Sequence, residues 1–249
     1  PFFLFLSHIT PHTPLQTIEK YSRRYEHISD KRARIYASMV ASLDDSVGRI
    51  VKELESLGLS ENTLVVFASD NGCAGYIEGA CSNAPYSGFK RYHQEGGIRI
   101  PLIMSWDNFL PRGLTYKQPV ITLDLYSTFV AAAGHAGFSS IDSVNLIPFV
   151  KKEVNSAPHK YLYWRSGPTY AIRDERWKLM RYSVAPYTAR DLGDDGRLTP
   201  PKGGWPHELS SEKITLLYDL KADPSEQNNL ADSHPEIVKR LTKEYETWA

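Results

Sequence analysis

The stretch that most constrains this chain runs from Thr63 to Pro101. Leu64-Val65-Val66-Phe67-Ala68 is an apolar run rich in β-branched residues, and it stops abruptly at Ser69-Asp70-Asn71-Gly72. A short run of this kind, bounded by turn residues, reads as a buried parallel strand. Ligands of open α/β sheets gather outside the carboxyl ends of strands, so Asp70 and Asn71 are placed where a site would form. A polar, Gly-rich loop follows and carries Lys90, Arg91, His93 and Glu95. Ile98-Arg99-Ile100-Pro101-Leu102-Ile103-Met104 then opens a second apolar strand, expected over 99–105.

Around this stretch the chain alternates between helix and strand signals. Phe2-Phe3-Leu4-Phe5-Leu6 reads as a strand opening directly from Pro1, so the chain is expected to be a piece of a longer protein. Pro11-His12-Thr13-Pro14 follows, and its prolines hold His12 in a rigid turn. Ser29-Asp30 begins a long helix in which Ile35, Met39, Leu43, Val47, Ile50, Val51, Leu54 and Leu57 form a stripe expected to be buried. Gly58 caps its C-terminus. Asp44-Asp45 lies within this helix, where adjacent side chains diverge by about 100°. The pair therefore reads as one solvated carboxylate and one with a local partner. Leu123 to Gly134 reads as a packing helix.

The character of the chain changes near 150–160. Beyond that polar linker come short alternating segments at Tyr161–Trp164, Tyr170–Arg173, Trp177–Met180 and Leu216–Leu220. Asp174-Glu175-Arg176 suits a hairpin turn between two of them, so a small antiparallel sheet is expected. A long polar loop spans 183–213, and a terminal helix follows His234-Pro235. The domain reading is an α/β portion at 1–155 and an α+β subdomain at 156–249.

Composition excludes more than it assigns. Lys+Arg 29 balances Asp+Glu 29, so nothing points to nucleic acid or to an anionic membrane surface. No apolar run reaches the roughly 18 residues that span a membrane. Cys73 and Cys81 are spaced either for a small disulfide-closed loop, which implies an oxidising compartment, or as two free thiols.

The chemistry-bearing residues form a coherent set. Asp70 and Asn71 offer the oxygen donors that hard cations prefer, though two donors do not complete a site. Lys90 is a point charge suited to a tetrahedral oxyanion, and His12 can donate to the same anion or protonate a leaving oxygen. Together they suggest sulfuryl or phosphoryl transfer.

Five segments, in order, resemble the sulfatase family of the alkaline-phosphatase-like superfamily. They are Pro1–Phe5 through Pro14; Tyr36–Val40 with Leu43–Ile50; Asn62–Gly72; Gly88-Phe89-Lys90 with Glu95–Pro101; and Leu217–Leu220 with Asp223–Glu226 and Asn229–Ala231. The resemblance implies a mixed α/β sheet flanked by helices, present here in part, plus the small C-terminal sheet with its terminal helix. It implies a sulfuric ester hydrolase located in the periplasm or secreted. Asp70 and Asn71 would be ligands of a calcium ion, and Lys90 would bridge the sulfate and the nucleophile. His12 would hydrogen-bond the ester near its leaving oxygen and act as general acid. Arg91, Tyr92 and His93, beside Lys90, together with the 183–213 loop, are candidates for shaping a substrate pocket for a sulfated small molecule, with a carbohydrate favoured. Arg99 reads as structural.

Three family elements have no match here: the nucleophile motif, the paired metal-binding aspartates that follow the family's first strand, and a second lysine–histidine pair. The nucleophile, formylglycine, is made from Cys or Ser in a Cys/Ser-x-Pro-x-Arg motif, which does not occur in this sequence. Ser156-Ala157-Pro158-His159-Lys160 ends in lysine and lies after the lysine loop, and Asp194-Asp195 sits in a late polar loop. The nucleophile is therefore expected upstream, and the isolated chain is expected to be inactive. Two other readings are a phosphodiesterase or phosphonate hydrolase of the same superfamily, and a non-catalytic ligand-binding relative.

Overall fold

A computed structural model describes residues 1–75, 77, 79–137, 141–182 and 214–249. The expected loop 183–213, with Asp194-Asp195 inside it, lies outside the described residues. The elements in order are α1 (Glu19–Ser22), α2 (Lys31–Ser56), β1 (Val65–Ala68), α3 (Glu95–Ile98), β2 (Leu102–Ser105), α4 (Asp124–Ala132), α5 (Ile147–Val150), β3 (Leu162–Ser166), β4 (Thr169–Arg173), β5 (Trp177–Tyr182), β6 (Ile214–Asp219) and α6 (Pro235–Trp248).

Helix α2 starts and stops where local chemistry dictates. The Asp30 side chain accepts a hydrogen bond from the Ala33 N–H, satisfying one of the open donors of the first turn. Gly58 closes the helix at φ +67°, a backbone conformation that costs glycine little. The apolar stripe is only half covered, which differs from the burial its periodicity predicts. Met39 is buried, whereas Val51 and Leu57 are exposed among the described residues. Asp45 has the local partners foreseen for one member of the Asp44-Asp45 pair, with Lys20 at 3.1 Å and Arg24 at 3.5 Å.

Strands β1 and β2 correct the reading of the opening stretch. They pair antiparallel, with Val65 opposite Ser105 and Ala68 opposite Leu102, and β1 is not fully buried. An apolar run reports burial potential, but strand direction is set by the neighbour the chain supplies, and here that neighbour returns after the loop. Residues 2–7 belong to no strand, because no described segment lies alongside to hydrogen-bond with them. Phe3 is 73% exposed and Phe5 80%.

The four later strands form one antiparallel meander in the order β3-β4-β5-β6. Asp174-Glu175-Arg176 makes the turn between β4 and β5, and the Asp174 side chain accepts from the N–H groups of Arg176 and Trp177. Alternation along the strands sorts side chains onto two faces. Ile172, Leu179 and Leu217 pack under Leu241 and Tyr245 of α6. The Tyr170–Tyr245 and Tyr163–Trp248 rings stack at 3.6 and 4.7 Å. Ala171, Met180, Tyr182, Leu216 and Tyr218 occupy the opposite face, and Tyr92 of the lysine loop packs against them. The second face of this small sheet is thus turned toward the loop between β1 and β2.

Candidate active site

The loop from Ser69 to Gly97 is shaped by close backbone contact. Gly72 N–H donates to Gly97 O at 3.0 Å, and Gly96 N–H to Ser87 O at 2.7 Å. A Cβ on Gly72 would lie 1.8 Å from Gly96 O, and one on Gly97 would lie 2.1 Å from Tyr92 O, so no side chain fits at either position. Asn83 ties the segments together. Its Oδ1 accepts from Cys73 N–H at 2.8 Å, and its Nδ2 donates to Gly88 O at 3.0 Å. Cys73 and Cys81 form a disulfide, which resolves the alternative the spacing leaves open. The Cys73 carbonyl in turn accepts from Lys90 N–H at 3.0 Å.

These contacts bring Lys90 to His12. Lys90 Nζ lies 3.2 Å from His12 Nε2, across 78 positions of sequence. The other ring nitrogen, Nδ1, lies 2.8 Å from the Thr13 carbonyl oxygen. A carbonyl only accepts, so Nδ1 carries a proton and the Nε2 lone pair receives the ammonium proton. The imidazole is thereby held in one tautomer, with its Nε2 lone pair toward the Lys90 ammonium.

Asp70 and Asn71 sit at the C-terminal end of β1. Asp70 is exposed, and its Oδ1 accepts from Asn71 N–H at 2.9 Å. Ser69 Oγ donates to Asn71 O at 2.8 Å and braces the turn. Both side chains are hard oxygen donors and suit calcium, which takes roughly six to eight such ligands. Among the described residues no group of three or more His, Cys, Asp or Glu gathers around a common point. The pair fits a calcium ion as part of a ligand set whose remainder comes from elsewhere.

Arg91 and His93 diverge. Arg91 is exposed at φ +86°, beside Lys90. His93, expected to help shape a pocket, is buried at 8% exposure against the C-terminal sheet. Its backbone N–H donates to Tyr182 Oη at 3.0 Å, and the two rings pack with centroids 6.3 Å apart. Burial and the Lys178 charge push its imidazole down to about 4. Arg99, read as structural, makes two contacts in the loop. Its guanidinium lies over the Tyr86 ring and 3.7 Å from Glu95 Oε2.

Two clusters escape sequence reading. Lys178 on β5 has no exposed surface, and its ammonium lies 3.0 Å from Glu95 Oε1 and 2.9 Å from Glu226 Oε1. Glu226 Oε2 also accepts from Glu95 N–H at 2.7 Å. Burial works against the Glu95 carboxylate, but the charges of Lys178 and Arg173 outweigh it and hold that carboxyl below its ordinary value. At Glu226 burial dominates, and its carboxyl is raised. The second cluster joins α4 to the linker. The buried Asp124 carboxylate lies 2.9 Å from His159 Nε2 and accepts from the N–H groups of Ile121 and Val144. Lys178 sits in an alternating strand where lysine ordinarily marks the wet face, and His159 sits in a polar linker, so nothing local betrays either one.

The sulfatase family profile matches residues 1–135, and the profile of the C-terminal part of N-sulphoglucosamine sulphohydrolase matches residues 87–197. The chain belongs to the sulfatase family. Arylsulfatase J of Mus musculus is 28% identical over 98% of this chain and 44% of its own length. Among solved structures, that of Ps i-CgsB superposes with a TM-score of 0.79 at 30% identity, covering 100% of this chain and 50% of that one. BT4656, solved in complex with its substrate D-glucosamine-2-N,6-O-disulfate, aligns at a TM-score of 0.63 and 25% identity, over 86% of this chain and 39% of that one. The sulfatase chain described here therefore spans about half the length of these relatives, and its fold is theirs in part.

Proposed function

We propose that the protein carrying this chain is a sulfuric ester hydrolase acting on a sulfated carbohydrate, and that this chain supplies the anion clamp and the leaving-group acid. The reading rests above all on the contact between Lys90 Nζ and His12 Nε2 at 3.2 Å. An ammonium and a tautomer-locked imidazole, side by side, can hold a tetrahedral anion and pass a proton to the departing alkoxide. Lys90 binds a sulfate oxygen. His12 is protonated at Nε2 from solvent once the sulfate stands between it and the Lys90 ammonium, and it delivers that proton to the ester oxygen as the S–O bond breaks. Asp70 and Asn71 hold two positions on a calcium ion. When bound, that ion would neutralise sulfate charge and a formylglycine from upstream sequence would supply the attacking oxygen.

The carbohydrate assignment draws support from BT4656, whose substrate is a disulfated glucosamine. Arg91, exposed next to Lys90, is positioned to meet polar groups on the alcohol side of the ester. The Cys73–Cys81 disulfide supports a periplasmic or secreted location, since such bonds persist in oxidising compartments. No described helix is long and apolar enough to cross a membrane.

The test is a matched pair of substrates. Sulfate and phosphate esters of the same sugar alcohol are offered to the full-length protein, with and without a calcium chelator. Turnover of the sulfate ester, lost on chelation and restored by calcium, is expected. A clear preference for the phosphate ester would overturn the assignment.

A further inference from the structure

The lysine loop is fastened to the C-terminal sheet and to the turn that follows β6. Ser87 Oγ–H donates to Ser225 O at 2.6 Å and accepts from Gln227 Nε2 at 2.7 Å. His93 N–H reaches Tyr182 Oη, Glu95 N–H reaches Glu226 Oε2, and Lys178 Nζ reaches Glu95 Oε1. These anchors flank Lys90 on both sides. Lys90 itself is tied by its backbone to Cys73 and by its ammonium to His12.

Hydrophobic packing alone would bury this seam as well or better. Replacing a buried ion cluster by apolar residues of similar volume is often neutral or stabilising. What a buried lysine between two carboxylates adds is direction, because each bond is satisfied at one placement of the loop. Lys178 Nζ stands between the two carboxylates, 3.0 Å from Glu95 Oε1 and 2.9 Å from Glu226 Oε1. The lysine thus ties the loop-borne carboxylate to the sheet, and Glu226 Oε2 holds the Glu95 backbone N–H.

We propose that Lys178, Glu226 and Glu95 are positioning residues for Lys90: a buried latch by which the C-terminal sheet sets where the lysine ammonium stands. The catalytic consequence rests on the sulfatase reading above, whereas the latch itself does not. A displacement of about 1 Å at a catalytic group can cost on the order of 100-fold in rate.

The experiment compares the full-length wild type with Lys178→Met and with the double variant Lys178→Met/Glu226→Gln. Lys221→Ala serves as control, because that lysine pairs with Glu175 on the surface of the same sheet. Amide hydrogen exchange and steady-state kinetics on a sulfate ester are both measured. Lys178→Met is expected to speed exchange at Gly88, His93, Glu95 and Gly96 about tenfold or more, while Leu179 and Leu217 stay within about threefold. It is also expected to lower kcat about tenfold or more with KM changed by less than about threefold. The double variant removes the facing carboxylate charge and recovers part of both. Lys221→Ala leaves both at the wild-type level. Unchanged loop exchange in Lys178→Met, or loop and strand amides rising together, overturns the latch. If Lys178→Met does not fold, Glu226→Gln keeps the side chain's shape and removes its charge. Faster exchange at Glu95 and Gly96, whose N–H groups are hydrogen-bonded at this seam, then supports the latch, and unchanged exchange overturns it. If the wild type turns over no sulfate ester, the proposed function fails, and the exchange pattern alone decides the latch.

Discussion

The arm that carries His12 and the loop that carries Lys90 meet at 3.2 Å, yet they are held in opposite ways. The arm is exposed from Pro1 to Ile9 and makes no strand. Its described ring contact is Phe3 against Phe129, with centroids 5.7 Å apart. The loop is clamped by glycine contacts, a disulfide, Asn83 and a buried ion cluster. The difference teaches that a shared site need not have shared determinants. Lys90 is placed by this chain's own packing, whereas the placement of His12 owes little to the described residues around it.

The sharpest way to break that comparison is to remove either partner. In the full-length protein, Lys90→Ala is expected to lower kcat/KM by about 10²–10³-fold, the cost of losing a preorganised charge at a developing anion. His12→Ala is expected to cost about 10²-fold or more. Steady-state kinetics on one sulfate ester measures both, and a loss below about threefold in either would separate that residue from the chemistry.

Gly72→Ala probes the loop's backbone. The new Cβ would fall 1.8 Å from the Gly96 carbonyl oxygen, so strand tip and loop must part. A loss of about 3 kcal/mol in chemical unfolding is expected.

His93 gives a pH test of the same packing. Its imidazole is depressed from 6.5 to about 4 in the folded chain, so the unfolded chain binds more protons between those values. Stability carried by the neutral ring is therefore present above pH 6.5 and lost as pH falls toward about 4. The full shift corresponds to about 3 kcal/mol at most. Glu226, whose carboxyl is raised, acts with the opposite sign, so the informative quantity is the difference between wild type and His93→Gln. Unfolding curves from pH 7 down to about 4 should show a shallower decline in the variant. An equal decline would show that the ring is not what titrates.

The smallest effect is expected in the arm. Phe5→Ser, at 80% exposure, should change the stability of the 249-residue chain by less than about 0.5 kcal/mol. A loss above about 2 kcal/mol would mean that the arm packs as tightly as the loop.

Legibility in the sequence follows the same division. The long helix is readable because Asp30, the apolar spacing and Gly58 are local signals, and the structure uses Asp30 and Gly58 as caps. The C-terminal meander is readable from alternation and from Asp174-Glu175-Arg176 at a turn. The sense of β1 is not readable, because an apolar run carries no information about its partner's direction. Its half-buried state is equally a property of what lies beside it. No local pattern joins Lys90 and His12, which lie 78 positions apart; only their shared chemistry toward one anion places them together. His93 looked like a neighbour of Lys90 and is turned into the core. Lys178 looked like the wet face of a strand and is wholly buried. In both cases burial is imposed by the docking of loop onto sheet, which neither segment encodes alone.

That buried lysine also limits how the family's parts can be exchanged. Glu95, Lys178 and Glu226 come from three distant stretches and bury their charges against one another, with Arg173 of β4 a further partner of Glu95. A C-terminal sheet transplanted from a relative would bring a foreign residue opposite Glu95, stranding its charge unless the donor sheet carries a matching cation. The small sheet is therefore not an interchangeable module. Chimeras joined near residue 155 should work only when the recipient loop and donor sheet agree at these three positions.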